Sequence, residues 1–174
     1  MGSDINIGLA APKSIIKKSV INLFEDLREF VFERVFFPNN NNYNEWISLS
    51  NRECSIEEAF DYCFKYEMSY FVGGFLLYDK QLNNVEFAIE KTDTDIVCFI
   101  IKIPDSEFIN KIDEFESTVI EFLKNISGFN FAFCDSEAHL DDENYSIYVQ
   151  YLDKPIFTYK DWKIDGLTKR SSIR

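Results

Sequence analysis

Six consecutive apolar residues, Ile96-Val97-Cys98-Phe99-Ile100-Ile101, constrain this chain more than any other feature. The run is far too short to cross a membrane, which takes about 20 apolar residues in a helix. It carries no polar stripe, so Ile96–Ile103 reads as a strand at the centre of a sheet, apolar on both faces. The rest of the chain must supply its neighbours and covering layers. Apolar residues make up 46% of the 174 positions, 18 of them Phe, so an aromatic core is available. At this length folding removes roughly 70% of the unfolded chain's surface from water, enough for one core without staples. Only 6 Gly and 4 Pro are present, which excludes collagen-like, linker-like and low-complexity chains.

The remaining elements follow from spacing. Ile5–Leu9 is a short strand candidate, and Pro12 suits the first turn of a helix, where its missing N–H costs nothing. Ile16, Val20, Leu23, Phe24, Leu27, Phe30 and Val31 recur at helical spacing, with Lys17, Lys18, Asn22, Glu25, Asp26 and Glu29 on the other face. This pattern decays through Phe32–Phe37 and stops at Pro38, before an Asn39–Asn42 loop. Tyr43–Leu49 is a strand candidate. Ser55 and Glu58 form a capping-box signature that opens a helix with Ile56, Ala59, Phe60, Cys63 and Phe64 on its apolar face. Tyr70–Tyr78 reads as a strand in which Gly73-Gly74 marks a bulge or a close backbone contact. Asn83-Asn84 signals a turn. Val85, Phe87 and Ile89 alternate with Glu86, Ala88 and Glu90, a half-buried strand, and Thr92–Asp95 turns the chain into the central strand. These three strands are expected to form an antiparallel meander.

Pro104-Asp105 then opens the longest expected helix, with a buried stripe of Phe108, Ile112, Phe115, Val119, Phe122 and Ile126 and a stop at Gly128. Phe129, Phe131 and Phe133 alternate with polar or small residues through Cys134. Tyr145, Ile147, Val149 and Tyr151 repeat the alternation, and Pro155–Tyr159 adds a short edge. The expected order is β-α-β-α-βββ-α-ββ: a single α+β domain over residues 1–174, with helices packed on a mostly antiparallel sheet. Residues 160–174 read as a basic, loosely ordered tail.

Cys54, Cys63, Cys98 and Cys134 show no C-x-x-C and no zinc spacing, so they read as reduced thiols of a cytoplasmic protein, Cys98 as a small core hydrophobe. No basic segment followed by an apolar stretch opens the chain, so no secretion signal is expected.

The 30 acids outweigh 18 bases, a net of −12, which argues against a partner such as a nucleic acid backbone. The excess is local. Residues 105–153 hold 12 acids and 2 bases, against 16 and 10 in residues 1–104 and 2 and 6 in residues 154–174. Glu107, Glu114 and Glu121, seven apart, line one outward face of the expected helix, flanked by Asp113 and Glu116. The loop after the Phe129–Cys134 strand adds Asp135, Glu137, Asp141, Asp142 and Glu143 with no Lys or Arg among them. Like charges this close repel, so the fold gains nothing from them. One use is a field that speeds encounter with a cationic partner, by roughly 10 to 10³ in rate. The other is a solvated face that keeps the protein soluble.

Catalytic patterns are sparse. His139 is the single histidine, and no Gly-x-Ser-x-Gly occurs, so no nucleophile has a recognisable base beside it. Asp135, Glu137 and His139 are spaced by two. In a continuous strand they would share one side and offer a carboxylate–carboxylate–imidazole metal set; in a loop His139 is merely exposed. A metal-binding protein or enzyme using these three is one alternative function, and a non-catalytic adaptor is another. Gly73-Gly74 is no phosphate cradle, because neither Gly-Lys-Ser/Thr nor a helix follows it. No cofactor is expected. Lys160, Lys163, Lys169, Arg170 and Arg174 lie against the acidic body or fray. Trp46 and Trp162 read as core or rim packing, or as interface anchors.

One stretch, Phe129-Asn130-Phe131-Ala132-Phe133-Cys134-Asp135-Ser136-Glu137-Ala138-His139, follows the long amphipathic helix and the Tyr78–Ile103 meander. In this arrangement the chain resembles the immunity proteins of bacterial polymorphic toxin systems. The Gly-Trp pair of their most widespread superfamily is not present: Trp46 follows Glu45 and Trp162 follows Asp161. The resemblance implies a non-enzymatic inhibitor that binds and neutralises a cognate toxin, often a nuclease with a cationic cleft. Charge alone selects Asp135, Glu137, Asp141, Asp142 and Glu143, with Glu107, Glu114 and Glu121, as the contact surface.

Overall fold

The apolar run becomes an interior strand. The structure, a computed structural model, describes residues 4–40, 42–77, 79–91, 95–107, 122, 126–129 and 131–136. In chain order these form β1 (Asp4–Pro12), α1 (Ile16–Asp26), β2 (Arg28–Asn39), β3 (Asn42–Ser50) and α2 (Ile56–Lys65). β4 (Tyr70–Leu77), β5 (Lys80–Lys91), β6 (Ile96–Pro104), a single 3₁₀ turn (Asp105–Glu107) and β7 (Phe131–Ser136) follow. The strands make one seven-stranded sheet in the order β3-β2-β4-β5-β6-β1-β7. Every neighbouring pair is antiparallel. The class is therefore α+β, with two helices packed on a single sheet.

Residues Ile96 to Ile101 of β6 are all buried. Val97, Phe99, Ile101 and Ile103 join the core beneath the helices. Cys98 and Ile100 point to the other side and are fully buried as well, with Ala10 paired to Cys98 across to β1. Two-sided burial is why this strand is apolar throughout rather than alternating.

Both helices are amphipathic. α1 buries Ile16, Ser19, Val20, Leu23 and Phe24, three and four residues apart. α2 begins with the expected capping box: the Glu58 N–H donates to Ser55 Oγ at 3.2 Å, and the Ser55 N–H donates to the Glu58 carboxylate at 2.7 Å. Its Ala59, Phe60 and Cys63 are buried, with Ile56 and Phe64 packed at the margin.

The β4-β5-β6 meander forms as expected, and so does the irregularity at Gly73-Gly74, where the β4–β5 register shifts. A methyl added at Gly73 would lie 2.4 Å from the Val31 carbonyl oxygen, and one at Gly74 would lie 2.5 Å from that of Leu82. The glycines thus let β2, β4 and β5 close on one another.

Three expectations are corrected. The helix read through Phe30 and Val31 ends at Asp26; Leu27 is already extended, and Arg28–Asn39 is a strand. β2 shifts register between Arg28 and Val31 and again between Phe32 and Arg34. Each inserted residue stretches the burial period from two toward three, so buried Phe32 and Val35 mimic helical spacing. Pro12 closes β1, paired with Ile96, instead of opening the helix. At a strand end its missing donor also costs nothing. Asn83-Asn84 lies within β5 and forms the bulge opposite the glycines, with Asn84 at φ 54°. The described order therefore has a strand, β2, that the expected order lacks.

Phe122 is helical and buried, and Gly128 takes φ 90°, the left-handed conformation of a helix-stop glycine. Ser19 Oγ donates to the Gly128 carbonyl at 2.6 Å, tying this segment to α1. Most of the expected helix after Asp105, the strands at Tyr145–Tyr151 and Pro155–Tyr159, and the tail fall outside the described residues.

Two substitutions test these features. Gly74→Ala should lower stability by about 1–3 kcal/mol through backbone overpacking, read as a lower urea midpoint with an unchanged slope. Ser55→Ala should cost about 1 kcal/mol by removing the cap, read in the same way.

Candidate functional site

Strand connectivity brings the starts of both acid-rich segments to one end of the sheet. β6 and β7 flank β1 and are each antiparallel to it, so they run parallel to one another. Pro104 pairs with Asp4, and Ser136 pairs with Ile5. The 3₁₀ turn therefore leaves β6, and the chain leaves β7, at the same end. Two strand spacings separate these exits, roughly 10 Å. That is close to the screening length of about 8 Å at physiological ionic strength, so charges at the two exits feel one another.

Glu107 sits in the 3₁₀ turn, half-buried. Lys80 Nζ lies 3.5 Å from its carboxylate and also donates to its backbone carbonyl. This lysine, 27 residues away in sequence, begins β5 and carried no signal in any motif. Asp135 lies in β7, its backbone opposite Asn6. Glu114, Glu121, Glu137, Asp141, Asp142 and Glu143 lie outside the described residues, as do His139 and Trp162. Of the possible metal set only Asp135 is therefore described, in a strand that runs on through Ser136. No group of three or more His, Cys, Asp or Glu gathers among the described residues.

At the opposite end of the sheet, Lys13 follows β1 and Lys91 closes β5. Their ammonium groups stand 5.7 and 5.3 Å from the centre of the Phe64 ring, two cation–π contacts to one ring of α2. Lys91 also donates to the Phe64 carbonyl at 2.7 Å. Nearby, Lys17 of α1 pairs with Asp61 of α2 at 2.7 Å.

Trp46 stands at the rim of the sheet on β3, 43% exposed. Ile47 and Leu49 on the same strand pack against the core, so alternation turns Trp46 to the side away from the helices. Phe36 and Tyr70 stack on that side, ring centres 5.0 Å apart. Burial, then the nearby Glu86 carboxylate, push the Tyr70 hydroxyl above its usual pKa. Sequence reading missed this aromatic face because Phe36 was read within a decaying helix pattern, so β2 and its pairing with β4 went unforeseen.

Cys54, Cys63 and Cys98 are free and buried. Burial pushes the Cys63 thiol far above the usual range. The Cys98 thiol is pushed up by burial first and by the Glu90 carboxylate second. Both stay protonated, the opposite of a nucleophilic thiolate. No described helix is long and apolar enough to cross a membrane.

In native protein at pH 8, iodoacetamide should leave Cys63 and Cys98 unmodified, and urea should expose both, as mapped by peptide mass spectrometry. The same burial sets a pH dependence. A thiol whose pKa is raised on folding contributes fully below its ordinary value of 9.0. The folded chain then keeps a proton that the unfolded chain loses, so stability falls as pH rises above 9.0, by up to about 1.4 kcal/mol per pH unit for each thiol. Urea midpoints measured from pH 7 to 11 check the sign.

No family model, curated protein or solved structure matches this chain.

Proposed function

We propose that this protein is an immunity-type inhibitor that binds a cognate, cationic toxin domain through an acidic surface and neutralises it. The observation that carries the reading is the shared exit of β6 and β7. The two segments that carry the 12 acids of residues 105–153 start at those exits, and the exits lie within about one screening length of each other. On this reading their carboxylates add into one field instead of cancelling around the molecule. Such a field raises association rate and partner discrimination more than affinity. The protonated thiols of Cys63 and Cys98 fit a binding role better than thiol chemistry. Lys80 holds Glu107, which makes Glu107 an anchor of the turn and leaves Asp135, Glu137, Asp141, Asp142 and Glu143 as the leading contacts.

The test starts from the toxin reading frame next to this gene. Its toxin domain should kill host cells when expressed alone and spare them when this chain is co-expressed. Stopped-flow association of the two purified proteins should slow roughly 10-fold or more between 50 and 500 mM salt, as steered encounter does. Replacing Asp141, Asp142 and Glu143 together by Lys should slow association while circular dichroism and the urea midpoint stay unchanged. Absence of protection and binding would overturn the inhibitor reading. Protection with salt-independent association and unaltered kinetics in the triple variant would instead reject the acidic surface.

A further inference from the structure

We draw no further inference here: the strongest candidate, the half-exposed aromatic face formed by Trp46, Phe36, Tyr70 and Val72 on the side of the sheet away from α1 and α2, carries nothing because nothing in the structure shows what covers it.

Discussion

Phe24 of α1 packs edge-on against a row of three rings, Phe71, Phe87 and Phe99, at 5.8, 5.7 and 5.7 Å. The row crosses β4, β5 and β6, with Phe71 and Phe87 4.9 Å apart and Phe87 and Phe99 5.8 Å apart. Phe30 of β2 stacks on Phe24 at 4.4 Å. One helical side chain thereby fixes the position of α1 over four strands. Each such aromatic pair contributes about 0.5–1.5 kcal/mol beyond the area it removes from water. Edge-on geometry also permits few alternative packings, so it sets how far α1 can slide or rotate.

Strands beneath these rings carry register shifts of the sheet. β2, β4 and β5 are irregular at neighbouring positions: Glu29 to Val31, Gly73-Gly74 and Asn83-Asn84. An extra residue in a strand increases local twist, and stacking bulges on adjacent strands coils the sheet around whatever lies on its concave side. The backbone conformations match this demand. Asn84 takes φ 54°, a region Asn tolerates, while Glu29 at φ 51° accepts strain of order 1 kcal/mol that the flanking pairings hold in place. The two glycines admit neighbouring carbonyls where any side chain would separate the strands.

What was legible in the sequence was local. The Ser55–Glu58 box is read within one turn, the β6 run from its own apolarity, and the Gly73-Gly74 irregularity from the dipeptide itself. β2 was hidden because its bulges erase the period of two, so Phe30 and Val31 extended the apparent helix stripe of α1. Asn83-Asn84 carries the same left-handed preference in a bulge as in a turn, so composition could not separate them. The Lys80–Glu107 pair and the placement of β1 between β6 and β7 are contacts across tens of residues, and no local pattern encodes them. The acidic segments were visible one at a time; their common origin at one sheet end depends on strand order.

Strand order also separates what holds this molecule together from what its charge can do. Two ion pairs are open or half-open to solvent, Lys17–Asp61 at 45% and 58% and Lys80–Glu107 at 39% and 33%, so each contributes about 0–1 kcal/mol. Buried apolar and aromatic contacts carry the stability. Repulsion among exposed carboxylates in screened water is small beside such a core. The charge of the acidic segments can therefore vary with a partner while β1, β6 and β7 stay in register. On the proposed reading, this is how a rigid sheet would hold steady while the surface at its end follows a changing toxin.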